Sequence, residues 1–286
     1  MDFYISVLNF ICITMIGVSG VFIVTGMTGY LSLGQSAFMA TGAYAAAIFA
    51  TKLGMPFVVC VLAAMVIGSL AGLLISLPAI KLRRDYITLI TFGFSEAILA
   101  LMVSLPTITG GAMGYSGIPK MTSTPLLVCS AVLACFLVFQ FKYSKFGREC
   151  LSLKTDELAA KSIGINVAAT KLRVFVLSAA LTSYAGALYA FHMQYIDPTM
   201  FTWSLSAEWV IIVFVGGMNS FSGAIFSTFA LMALPELLRF ANSWRIVIYS
   251  VLVLLILNFR PRGIFGEFEL YIPKRMRQLK KGGTVK

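Results

Sequence analysis

Apolar runs of membrane-crossing length take up nearly the whole chain, interrupted only by short polar segments. A span-length window marks nine of them, at 5–25, 30–51, 56–80, 86–104, 125–141, 174–192, 207–217, 223–238 and 246–259. An α-helix needs roughly 20 residues to cross the hydrocarbon layer, so most of these runs predict one transmembrane helix each. Two do not fit simply. The seventh is too short to cross alone, and the second opens on a polar, glycine-spaced stretch from Gly29 through Ser32 and Gly34 to Gln35 and Ser36. Both are expected to be broken or re-entrant. The pattern predicts an all-α, polytopic transmembrane bundle of about eight or nine segments, forming a single domain over residues 1–286.

Polar segments between the runs set the orientation. Lys81, Arg83 and Arg84 separate the third and fourth runs, and Lys142, Lys145, Arg148, Lys154, Lys161, Lys171 and Arg173 separate the fifth and sixth. Eight more basic residues follow the last run. Counted on alternate sides, these segments share one face and hold 18 of the 22 basic residues. Lysine and arginine accumulate in cytoplasmic loops, so that face is expected to be cytoplasmic, with the N-terminus outside and the C-terminus inside. The opposite face keeps Lys52, Lys120, Arg239 and Arg245. Trp203 is placed there as an interfacial anchor, and the basic stretch 274–281 is expected to lie against anionic headgroups.

Composition supports the membrane assignment. Hydrophobic residues make up 59% of the chain and charged residues 12%, with a mean hydropathy of +0.92. A soluble domain carries about 25% charged residues. The net charge of +11 is spread among short loops, which argues against nucleic acid as a partner. The chain opens without a basic n-region, so the first run is expected to be kept as a span. Five cysteines, none in a C-x-x-C spacing, read as small apolar fillers.

The longest polar connection, 142–172, carries the most information, because loops of that length are usually functional or disordered. Asp156 and Glu157 open a short helix at its dipole-favoured end. Glu157 and Lys161 stand i,i+4 in the favourable direction, and Gly164 sits where a left-handed cap is expected. A helix of about eight residues follows, roughly 12 Å long. Leu158, Ser162 and Ile163 share one side of it, and Ala159 and Ala160 allow close approach. Those features suit docking into a partner's groove.

Glu157-Leu158-Ala159-Ala160-Lys161-Ser162-Ile163-Gly164 resembles the E-A-A-x-x-x-G coupling loop of bacterial ABC importer permeases, with Leu158 where many carry Ala. Wider features resemble the LivM-type permeases of branched-chain amino-acid importers. They include the stretches 32–38 and 42–44, 86–96, 144–148, 186–190, 216–220 and 260–266. The resemblance implies ATPase coupling through Glu157, Leu158, Ala159, Ala160 and Gly164. It also implies two ATP-binding subunits, a second homologous permease, a periplasmic substrate-binding protein and a place in the bacterial inner membrane.

The sequence holds no G-x-x-x-x-G-K-[ST] phosphate loop, so ATP and magnesium are expected on partner subunits, with no cofactor and no enzymatic site on this chain. Candidate translocation residues are Ser32, Gln35, Ser36, Glu96 and Asn219. Polar, discontinuous segments often hold substrate in transporters, and ionisable groups within spans are costly and functional by default. Glycine-mediated packing stays open for Ser32, Gln35 and Ser36, and structural pairing for Glu96. Glu208 and Glu236, near span ends, are expected to snorkel, and His192 to sit hydrogen-bonded at the interface. Two further functions stay open: a urea or short-amide importer permease, and an ion-coupled secondary transporter acting alone.

Overall fold

Helices account for every regular element among the described residues, which in this computed structural model are 2–237, 245–260, 262–266, 268 and 269. Helix α1 (Asp2–Val21) runs on through a π-helical turn (Phe22–Gly26). It is followed by α2 (Gln35–Lys52), α3 (Phe57–Lys81), α4 (Arg84–Ser104), the single turn α5 (Pro106–Thr109) and α6 (Thr124–Tyr143). The loop contributes α7 (Lys145–Thr155) and α8 (Glu157–Ser162). Then come α9 (Val167–Met193), α10 (Trp203–Gly216), α11 (Phe221–Leu237) and α12 (Arg245–Phe259). The basic stretch 274–281, Arg239 and the side chain of Glu236 lie outside the described residues.

Among the described residues, six helical segments are long and apolar enough to cross a membrane. The seventh run joins them because the turn Pro198–Phe201 leads into α10, giving a 19-residue segment, Pro198–Gly216. Asp197 caps that turn by accepting from Thr199 N at 2.7 Å. The expected tally of eight or nine therefore rests on α2, α11 and α12, which are shorter or more polar.

Helix α9 is the central mast, packed along α1, α2 and α3. Its contact with α2 is a backbone-to-backbone approach. A Cβ on Gly186 would stand 2.1 Å from Met39 O, and one on Gly42 would stand 2.2 Å from Ser183 O. Small residues let helices approach this closely in lipid, where dispersion and polar contacts must replace the hydrophobic drive. The outer face of α3 is the reverse, with Val58, Leu62, Val66, Leu70, Leu74 and Leu77 all exposed. An apolar stripe of that length on a bundle's exterior belongs in hydrocarbon.

The two ends differ in charge. Arg84, Lys142, Lys154 and Lys171 gather at one end with Arg262, drawn from three remote segments. At the other end Lys52 donates to Thr107 O, and Tyr115 pairs with Ile196 through backbone bonds. His192 meets the Phe10 ring edge-on at 5.5 Å, and Trp203, 45% exposed, packs on Phe92.

Candidate functional site

Helix α8 is short because both ends are capped. Asp156 Oδ1 accepts from Leu158 N at 2.8 Å and from Ala159 N at 3.3 Å. Gly164 adopts φ +86° and reverses the chain, and Ile165 N returns to Ala160 O at 3.1 Å. Six residues remain helical where about eight were expected. Ala160 is buried, while Leu158 and Ile163 stand 79% and 73% exposed. The preceding helix, α7, was not anticipated. Its signals were Ser144 as an N-cap, accepting from Gly147 N, and the buried Gly147, Cys150 and Leu153 at helical spacing.

Glu157 does not pair with Lys161. Its carboxylate turns inward, taking a hydrogen bond from Tyr30 Oη at 2.7 Å and an ion pair from Lys171 at 3.1 Å. The physical reason is burial. An exposed i,i+4 pair contributes only about 0.2–0.5 kcal/mol, whereas Lys171, 2% exposed, needs a counter-charge to be tolerated at all. The ammonium of Lys171 and the guanidinium of Arg84 also lie over the Tyr30 ring, at 5.0 and 5.7 Å.

The polar opening of the second run is non-helical from Gly29 to Gly34. Irregular backbone at membrane depth persists only where its polar groups find partners, and α4 supplies them. Thr88 donates to Leu31 O at 3.0 Å, Thr91 accepts from Leu33 N at 3.1 Å, and Ser95 bonds Ser36 Oγ at 2.7 Å. These three residues recur at helical spacing and line one face of α4. Ser206 of α10 completes the cluster, accepting from Ser36 N at 2.8 Å. Gln35 accepts from Thr182 at 2.8 Å and donates to Ser178, which donates in turn to Gly20 O.

The structure thus separates the translocation candidates. Ser32, Gln35 and Ser36 are fully buried, at 0% exposure, within four packed helices. Glu96 follows Ser95 by one residue, roughly 100° further around the helix, so it leaves the Thr88–Thr91–Ser95 face. It is half-buried, and no hydrogen-bond partner approaches it among the described residues. Asn219 lies at the basic end. Its side chain accepts from Lys154 at 2.6 Å, its carbonyl accepts from Lys142 at 2.5 Å, and it borders a cavity of about 470 Å³ with Lys154, Phe214 and Arg262. Lys154 belongs to α7; burial, then the neighbouring Lys142 and Arg84, push its ammonium down to about 8.

A strap after α12 closes over this turn. Ile264 N and Phe265 N donate to Val215 O and Gly216 O, and Glu269 takes Lys142, Tyr143 and Phe221 N. Gly217, at φ +114°, and Gly263, at φ +80°, let the two backbones touch; a Cβ on Gly263 would stand 2.5 Å from Gly217 Cα. The motifs at 216–220 and 260–266, remote in sequence, are two halves of one contact.

An apolar helical bundle with one basic end and a short capped helix projecting from it is the architecture of a polytopic membrane protein. Residues 3–257 match the family model of the branched-chain amino acid transport system permease component, and the chain belongs to that family. It is similar to the high-affinity branched-chain amino acid transport system permease proteins LivM of Salmonella typhimurium and Escherichia coli. Each is 30% identical over 93% of this chain and 69% of its own length. A probable LivM permease of Methanocaldococcus jannaschii is 22% identical over 78% of this chain. No solved structure matches the chain significantly.

Proposed function

We propose that this chain is the membrane-spanning subunit of an ABC importer carrying branched-chain or related amino acids across the bacterial inner membrane. Two ATP-binding subunits drive it, a second homologous permease stands beside it, and a periplasmic binding protein delivers substrate. The observation that carries the proposal is α8, which offers Leu158 and Ile163 to a partner while Glu157 anchors it to the bundle. A helix free on one side and bonded on the other can pass a push inward. Displacing α8 would draw on Tyr30, at the head of the broken segment, and on Lys171, at the foot of α9. The broken segment leads directly into Gln35 and Ser36 at the start of α2, and α9 carries Ser178 and Thr182, so the push would reach the bundle's polar centre. Alternating access of this kind needs an element with two stable arrangements, and the broken segment is the candidate.

In this scheme Asn219, which borders the 470 Å³ cavity, and the half-buried Glu96 contact the translocated molecule or its route. Ser32, Gln35 and Ser36 hold the helices that move. The test is co-purification with the ATP-binding subunit. Leu158→Glu and Ile163→Glu should abolish it while leaving the permease folded; retention by both variants would overturn the coupling role of α8. Uptake by the reconstituted transporter, measured with a panel of amino acids and urea, tests the substrate class.

A further inference from the structure

A second cavity, about 520 Å³, opens between the α3–α4 connection and the α8–α9 segment. That volume lies within the range of small-ligand sites. Four cations line it: Lys81, Arg83, Lys161 and Lys171. The carboxylate that also lines it, Glu157, is already taken by Lys171 and Tyr30. Lys81, Arg83 and Lys161 are exposed and have no ion-pair or hydrogen-bond partner among the described residues. The cavity therefore holds an uncompensated positive charge.

Its walls are apolar, from Leu82, Ile165 and Val167, and its depth is set by its neighbours. The exposed apolar stripe of α3 ends at Leu77, one turn before Lys81, and on α4 the exposed Tyr86 and Leu89 begin just after Arg83. Lys81 and Arg83 thus stand where a bilayer's hydrocarbon gives way to headgroups. Basic pockets between helices at that level hold anionic headgroups. We infer that this cavity binds the phosphodiester headgroup of an anionic phospholipid, its acyl chains lying along the outer face of α3 and its phosphate held by Lys81, Arg83 and Lys161. A free phosphate shares the charge but has no use for the apolar stripe that leads into the cavity.

The experiment is native mass spectrometry of the full-length chain released from nanodiscs of phosphatidylcholine mixed with phosphatidylglycerol. One phosphatidylglycerol should be retained in preference to phosphatidylcholine, and millimolar inorganic phosphate should not displace it. Each cation near a membrane surface is worth roughly fivefold in binding. Arg83→Gln should therefore weaken the preference by about that factor, and the combined K81Q, R83Q and K161Q variant should erase it. Lys145→Gln, an exposed cation outside the cavity, should leave the preference intact. Equal retention of the two lipids, survival of the preference in the triple variant, or displacement by inorganic phosphate would each overturn the assignment. Lipid retention is read without ATP, substrate or partner subunits, so its failure leaves the importer proposal untouched.

Discussion

Tyr30 Oη donates to Glu157 Oε1 at 2.7 Å across 127 positions of sequence, joining the broken segment before α2 to the short helix at the basic end. Tyr30 is fully buried and Glu157 partly so, and Lys171 holds the second carboxylate oxygen. Among the described residues, the pair is the one direct side-chain link between the projecting helix and the segment that interrupts the second apolar run.

Removing the phenol oxygen isolates that link. Tyr30→Phe should keep the ring beneath Lys171 and Arg84 and cost about 1.5–3 kcal/mol, the worth of a hydrogen bond to a charged group. Transport by the reconstituted complex should fall more steeply than the melting temperature does. Glu157→Gln also leaves Lys171 without a counter-charge. The expected cost is about 2 kcal/mol, below the 3–5 kcal/mol of a fully buried pair, because the Glu157 side chain is 31% exposed. Thermal unfolding in detergent measures both.

Glycine positions divide sharply by what surrounds them. Gly186→Ala and Gly42→Ala would each drive a methyl into backbone, 2.1 and 2.2 Å from a carbonyl oxygen, and α2 and α9 would have to separate. Both variants should fail to yield monodisperse protein. Gly93→Ala, with nothing within 4 Å, should express like the parent, as size-exclusion profiles would report.

Gly164 is constrained by conformation and not by space. Nothing lies within 4 Å of an added Cβ, but φ is +86°. Gly164→Ala should cost about 1–2 kcal/mol, spent locally on the end of α8. Hydrogen exchange should quicken at Ile163 and Ile165 while the amides of α9 stay protected.

Lys154 gives the protein a pH dependence with a defined sign. Its ammonium titrates at about 8 in the folded protein against an ordinary 10.5, so between those values the unfolded chain binds the extra proton. Stability should therefore rise with pH from about 8 to 10.5, and this contribution should be flat below 8. Lys154→Gln should remove that slope from melting curves collected across the window.

Much of the architecture was legible in residue pattern. Runs of apolar residues required helices, because a backbone in hydrocarbon must satisfy its own polar groups. Asp156 announced the start of α8 by the helix dipole, and Gly164 its end by a left-handed cap. The i,i+4 reading of Glu157 with Lys161 failed because local spacing cannot reveal that Lys171, ten residues past Lys161, is folded into the interior and draws the carboxylate to itself. Glu96 follows Ser95 directly in the chain, yet one residue of helix turns it off the Thr88–Thr91–Ser95 face.

Sequence alone determined that this protein lives in a bilayer, which of its segments carry the positive charge, and where the short helix α8 starts and stops. All of these follow from hydropathy, charge and caps, which act between residues near in sequence. Only the tertiary structure decided that Thr88, Thr91 and Ser95 sustain the break at Gly29–Gly34, that the 216–220 turn and the 260–266 strap are one contact, and that Glu157 belongs to Tyr30 and Lys171. Most of these bonds join residues dozens of positions apart, and Glu157 and Lys171 stand on separate helices. Which buried polar group satisfies which other is settled by how the helices meet, and no local pattern contains that information.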